Sequence, residues 1–193
     1  DGVEVRYLVD ANRQYAQVIE EYSPTGTTLT SYVYGNELVS QTHDGNTSYY
    51  LYDGYSGVRQ LTNASGTVSD SYTYDSYGAL IERTGNTTND YLYRGEKTDS
   101  NTGLQYLRAR YYDTNTGRFL STDPFEGLQE DPISRHRYIY GNDNGVTYSD
   151  PTGLFSLTEI NVRNVLLSVL EGLGTVASIQ LATNLATRPI KGD

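Results

Sequence analysis

A mainly β chain built of repeated hairpins, with helix confined to its C-terminal end, is the fold class that the sequence predicts. Three observations carry it. Pairs of tyrosines recur at i and i+2 about every 20 residues. Tyr accounts for 20 of the 193 residues, against 3 Phe and no Trp, and the apolar period changes from two to 3.6 beyond residue 154. A core so rich in phenols is thin and wide, because each ring is best buried while its hydroxyl needs water or a hydrogen bond. A broad sheet meets both demands better than a helical bundle.

The repeat runs through the first half. Tyr32-Val-Tyr34, Tyr50-Leu-Tyr52, Tyr72-Thr-Tyr74 and Tyr91-Leu-Tyr93 are separated by 18, 22 and 19 residues. Side chains at i and i+2 of a strand project from one face, so each pair offers two rings to the same side. A turn containing Gly, Asn or Asp follows each pair: Gly35-Asn36, Asp53-Gly54, Asp75 to Gly78, Gly95. Short apolar strands come next, such as Val58-Arg-Gln-Leu61 and Ala79-Leu-Ile81, closed by turns such as Asn63-Ala-Ser-Gly66 and Gly85-Asn86. One unit is a β-hairpin of about 20 residues, and such units bury a face only against their neighbours.

Bulk composition removes several function classes. Apolar residues make up 36%, but 12% aromatic content argues against disorder. The formal charge of −10 repels phosphates, so no nucleic-acid partner is expected. No cysteine is present, so thiol catalysis and disulfides are excluded, and His43 and His136 lack metal-ligand spacing. Neither a metal site nor a Ser-His-Asp triad is expected. The first residues, Asp1-Gly-Val-Glu-Val5, start in mid-pattern without a signal peptide, as if cut from a longer protein.

Downstream of the repeats lie four segments: Leu107-Arg-Ala-Arg-Tyr-Tyr-Asp113, Gly117-Arg-Phe-Leu-Ser-Thr-Asp-Pro124, Tyr138-Ile-Tyr-Gly-Asn142 and Asp150-Pro-Thr-Gly-Leu154. Arg110 precedes Asp123 by 13 residues, and Asp123 precedes Asp150 by 27. Read singly, Asp123-Pro124 and Asp150-Pro151 are turn starts like Asp131-Pro132, and Arg110 is an ion-paired sheet residue. In this order and spacing the segments resemble the C-terminal core domain of RHS (YD-repeat) proteins, the shells of polymorphic toxins. Tyr72-Thr-Tyr-Asp-Ser-Tyr-Gly78 resembles the YD repeat itself, and the resemblance covers roughly residues 7–154. The chain departs from the family pattern in carrying Asn144-Gly145 where Asn-Pro is usual, and in a long acidic loop containing Glu126 and Gln129-Glu-Asp131.

The resemblance implies a spirally wound antiparallel sheet over 1–103, an RHS core over 104–154, and a variable or cargo region that starts within 155–193. It also implies an aspartyl-protease-like site acting on its own chain. Asp123 and Asp150 match the catalytic pair and Arg110 the supporting arginine. Pro151 and Gly153 belong to the motif, and the cut falls between Leu154 and Phe155. Such chemistry needs no cofactor. Two adjacent carboxyls resist joint ionisation, so one can activate water while the other, still protonated, polarises the scissile carbonyl. An arginine fork can orient them. The implied role is a bacterial, secreted or cell-surface shell or plug whose partner is its own C-terminal segment or cargo. The alternative is a non-catalytic structural or adhesive module that binds glycan on its tyrosines, or assembles through sheet edges or the C-terminal helix.

Tyr is absent after Tyr148. Ser156-Leu-Thr-Glu159 reads as a capping box, and Val162, Val165, Leu166, Val169, Leu170, Leu173, Val176 and Ala177 form an apolar stripe at helical spacing. Glu171, Asn161 and Arg163 argue against a membrane span, leaving an amphipathic helix on the sheet or the beginning of a cargo. Gly172 and Gly174 read as a hinge or close helix contact, and Arg188-Pro189 ends the pattern.

Overall fold

The computed structural model describes residues 4–13, 15–127 and 129–154; the helix expected from Ser156 onward lies outside them. Eight strands, β1 (Arg6–Asp10), β2 (Gln17–Tyr22), β3 (Thr28–Tyr34), β4 (Leu38–His43), β5 (Asn46–Tyr52), β6 (Val58–Thr62), β7 (Val68–Tyr74) and β8 (Leu80–Thr84), form one antiparallel meander in sequence order. Its two edges, β1 and β8, do not pair with each other, so the sheet is open. A second meander of β9 (Gln105–Leu107), β10 (Arg110–Asp113) and β11 (Arg118–Phe119) follows. No helix among the described residues is long and apolar enough to cross a membrane.

The repeat has a physical basis that explains why tyrosine is followed by aspartate. Tyr32, Tyr50, Tyr72 and Tyr74 are buried on one face of β3, β5 and β7, with Tyr34 and Tyr52 half-buried beside them. The residue directly after the strand opens the turn. Ser23, Asp53, Asn63 and Asp75 each start the same five-residue turn, whose first backbone N–H donates to the fifth residue's carbonyl. In each turn the side-chain oxygen of the first residue accepts the fifth residue's N–H. Asp53, Asn63 and Asp75 also accept the third residue's N–H. The fourth position has positive φ in all four, filled by Gly26, Ser56, Gly66 and Gly78. A short acceptor at the first position thus satisfies donors that the ladder leaves free.

The fourth tyrosine pair behaves differently. Tyr91 and Tyr93 leave the ladder, and residues 85–98 run back across the tyrosine face as a strap. The departure begins at Gly85, with φ +80, where an added Cβ would lie 2.4 Å from the Asp70 carboxylate and the Ser69 carbonyl. Asp70, fully buried, accepts the Thr87 N–H at 2.9 Å. Tyr50 donates its hydroxyl to Gln41 and to Asn89, both at 2.8 Å, and Gln41 donates to the Thr88 carbonyl at 2.6 Å. Tyr91 meets Tyr32 edge-on at 5.2 Å between centroids, and Tyr93 meets Tyr74 at 5.8 Å. Lys97 pairs with Glu21 and, at 3.4 Å, with Asp90, pinning the strap to β2. The strap is the lid that an open sheet needs to bury its tyrosines.

Replacing Asp75 by Ala removes the one oxygen that accepts both the Tyr77 and the Ala79 N–H of its turn. We expect a loss of about 1–2 kcal/mol in urea unfolding, while Asp75→Asn, which keeps an acceptor oxygen, stays close to the parent.

Candidate self-cleavage site

The site is assembled by the second meander. Tyr112 on β10 stacks on Tyr140 at 4.2 Å, and Phe119 on β11 packs against both. The Tyr112 hydroxyl donates to the Tyr77 carbonyl at 2.7 Å, anchoring the meander to the turn between β7 and β8. Arg110 therefore starts a strand whose position is set by a buried aromatic cluster. Its guanidinium lies 3.6 Å from the Phe119 ring centroid and is 4% exposed.

Arg110 brings the two aspartates together. One guanidinium nitrogen, Nη2, lies 2.8 Å from Asp123 Oδ2 and 3.4 Å from Asp150 Oδ2. Nη1 donates to the Arg137 carbonyl at 3.2 Å, and Nε donates to the Gly153 carbonyl. Both aspartates also make the turns that Asp-Pro suggests. Asp123 Oδ1 accepts the Phe125 N–H at 2.8 Å, while its backbone N–H donates to Arg137 at 2.8 Å. Asp150 Oδ1 accepts the Thr152 hydroxyl at 3.0 Å and the Leu154 N–H at 3.1 Å. Each carboxylate spends one oxygen on its turn and turns the other toward the arginine. Asp131, by contrast, accepts from Ile133 N and caps the 3-10 turn Pro132–Arg135, far from this arrangement in role.

Asp150 is 2% exposed, and burial pushes its carboxyl above the usual carboxylate range; hydrogen bonds from Thr152, the Arg110 charge and the backbone N–H groups of Leu154 and Gly153 pull the other way. Burial also works against the Arg110 charge, and the two aspartates offset it. One positive charge faces two carboxylates, so the cluster holds an excess negative charge that a single proton would cancel.

The motif residues Pro151 to Leu154 lie along the β9–β10 hairpin. Three consecutive hairpin residues grip three consecutive carbonyls: Arg108 Nη1 donates to Pro151, the Ala109 N–H to Thr152 at 3.3 Å, and Arg110 Nε to Gly153. Gly153 has φ +69, and a Cβ there would fall 2.3 Å from the Leu107 carbonyl oxygen, so only glycine fits. The next residue, Leu154, is the last described, and Phe155 lies outside. Gly145, of the Asn144-Gly145 pair, approaches the Ser76 carbonyl so closely that a Cβ would lie 2.3 Å from it. Its own carbonyl accepts from Tyr93 Oη at 3.1 Å and Arg94 Nη2 at 2.7 Å.

Sequence reasoning passed over Arg108, Thr152, Arg137 and Glu96. Arg108 and Thr152 sit inside the quoted motifs, so their proximity to the site was readable there. Glu96 carried no signal, since it reaches Arg108 from the strap, across the turn before β9. Among the described residues no group of His, Cys, Asp or Glu could hold a metal ion.

The sequence model of the teneurin YD-shell matches residues 1–146. The chain belongs to the YD-shell family, the RHS/YD-repeat proteins. Among curated YD-shell relatives, the tRNA3(Ser)-specific nuclease WapA of Bacillus spizizenii is 36% identical over 158 residues, covering 79% of this chain and 7% of that protein. The tRNA nuclease WapA of Bacillus subtilis is 32% identical over the same length, with the same shares covered. The chain thus spans only a small part of these relatives. Of solved structures, TcdB2-TccC3-Cdc42 aligns with TM-score 0.58 at 20% identity, over 78% of this chain and 8% of that one. The Photorhabdus luminescens Tc holotoxin pore aligns with TM-score 0.58 at 18% identity, over 80% and 8%. At that identity the likeness is one of fold.

Two outcomes follow from the geometry. Gly153→Ala should cost about 2 kcal/mol or more in urea unfolding, because it adds both a clash and left-handed strain. Asp150 has a raised folded-state pKa, so its contribution is fully present below its unfolded pKa and is lost as pH rises through the folded value. Measured from pH 3.5 to 7, the unfolding free energy of Asp150→Asn should therefore gain on the parent as pH increases.

Proposed function

We propose that this chain is the closing piece of a bacterial, secreted or cell-surface RHS shell, and that it cuts its own backbone between Leu154 and Phe155. The observation that carries the reading is the shared Arg110 nitrogen, which holds Asp123 and Asp150 beside a Leu154 amide already bonded to Asp150. The released segment, from Phe155 onward, is then the start of the cargo. Relatives named as tRNA nucleases fit a shell that carries a toxin, although the chain's match covers a small part of them.

The chemistry follows from the environments. Asp150, the more buried, keeps the shared proton and donates it to the Leu154 carbonyl oxygen. Asp123, the partner carboxylate, takes a proton from water as the water oxygen bonds to the carbonyl carbon. Collapse of the resulting diol breaks the bond to the Phe155 nitrogen. Asp123 returns its proton to that nitrogen, and a diol hydroxyl proton goes back to Asp150, so the dyad is regenerated. Delivery of the scissile bond by connectivity removes any binding step and makes the reaction intramolecular. Arg110 neutralises the pair and, through its bond to the Gly153 carbonyl, holds the residue before the scissile one.

Intact mass of the denatured protein tests this. We expect the parent to give two masses that divide after Leu154, and Asp123→Asn and Asp150→Asn each to give one full-length mass. A single full-length mass from the parent, or cleavage that survives either replacement, overturns the reading.

A further inference from the structure

We propose that Glu96 and Arg108 form a positioning pair for the cleavage segment, setting the register in which Asp150 and Gly153 meet Arg110. The inference rests on the self-cleaving reading and adds two residues to it. Arg108, at the tip of the β9–β10 hairpin, adopts φ +59, a conformation that a non-glycine residue takes only when its surroundings demand it. Its Nη1 bridges Glu96 Oε1, at 2.8 Å, and the Pro151 carbonyl. Its guanidinium also lies over the Tyr15 ring at 4.5 Å. The side chain is thus fixed by three elements: the strap, the segment before β2, and the cleavage segment.

The bridge is the first rung of the three-carbonyl grip at Pro151, Thr152 and Gly153. The third rung is Arg110, which also holds the dyad. A shift at the first rung would move Asp150, adjacent to Pro151, against its partner Asp123. Glu96 matters because a lone guanidinium could reorient toward solvent, whereas a largely covered carboxylate holds its Nη1 in place through one charge-assisted bond. Burial raises the Glu96 carboxyl above its usual range, Arg108 pulls it down, and the Asp150 charge adds to the rise, so the two acids feel one another. The charged and titratable groups facing Asp150 are Arg110 from β10, Asp123 from the loop after β11, Glu96 from the strap and Tyr140 beside the 3-10 turn Gly141–Asp143.

Timed cell-free synthesis of the whole chain, followed by intact mass, tests the proposal. Arg108→Met should slow self-cleavage at least tenfold, and Arg108→Lys, which can still reach the Pro151 carbonyl, should recover part of the rate. Glu96→Gln should move the pH-rate profile toward acid, since it removes an anion facing Asp150 while keeping a hydrogen-bond acceptor. Asn63→Ala, which weakens the β6–β7 turn away from the site, serves as the control for lost stability alone. Parental rate and pH profile in Arg108→Met and Glu96→Gln, with Asp150→Asn still blocked, overturn the inference and leave self-cleavage standing. The same holds if Asn63→Ala slows cleavage as much as Arg108→Met. An uncut parent overturns self-cleavage and this inference with it.

Discussion

A single antiparallel sheet with tyrosines ranked along one face cannot bury them by itself, and the rest of this structure answers that constraint. The phenol rings need cover and the hydroxyls need acceptors, which a flat apolar lid would not supply. The strap over residues 85–98 supplies both: Tyr91 and Tyr93 pack edge-on against Tyr32 and Tyr74, and Asn89 accepts from Tyr50. Everything downstream hangs from this lid. Gln105 donates to the Tyr93 carbonyl at 2.6 Å, which seats β9, and β9 pairs with β10, which carries Arg110.

The same logic links the sheet to the site. Tyr112 and Tyr140 fill the space beyond the strap, so the hairpin that grips the Pro151, Thr152 and Gly153 carbonyls is backed by aromatic packing rather than left as a free loop. Rigid backing is what a pair of carboxylates needs. Their coupling depends on separation, and a displacement of the order of 1 Å can cost a reaction about a hundredfold. Electrostatics then acts on Asp150 in two directions. Asp150 is deep enough for burial to favour its protonated form, while the turn bonds at Thr152 and Leu154 keep that burial from becoming prohibitive.

Much of this was legible in the chain. The tyrosine pairs at 32/34, 50/52 and 72/74 named their strands and their shared face, and Asp53, Asn63 and Asp75 marked the turns, because both signals are local: strand alternation and side-chain capping need only a few residues. The pair at 91/93 carried the same local signal, yet it folds across the sheet as part of the strap. Local pattern cannot distinguish a ring that lies on the sheet from one that covers it, since both require the same buried phenol. Asp123, Asp150 and Arg110 were likewise readable together only through their order and spacing, and the structure brings them to one guanidinium.

By itself the sequence determined the class of fold, the hairpin period, the turn chemistry and the identity of the three charged residues, all of which rest on neighbours within a few positions or on a motif in fixed order. Tertiary structure alone decided which face the strap closes, that Glu96 would meet Arg108, and that Gly145 would press against Ser76. It also decided which oxygen of each aspartate faces the arginine. These outcomes depend on where the chain is placed in space by packing between segments tens of residues apart. No periodicity along the chain encodes that placement.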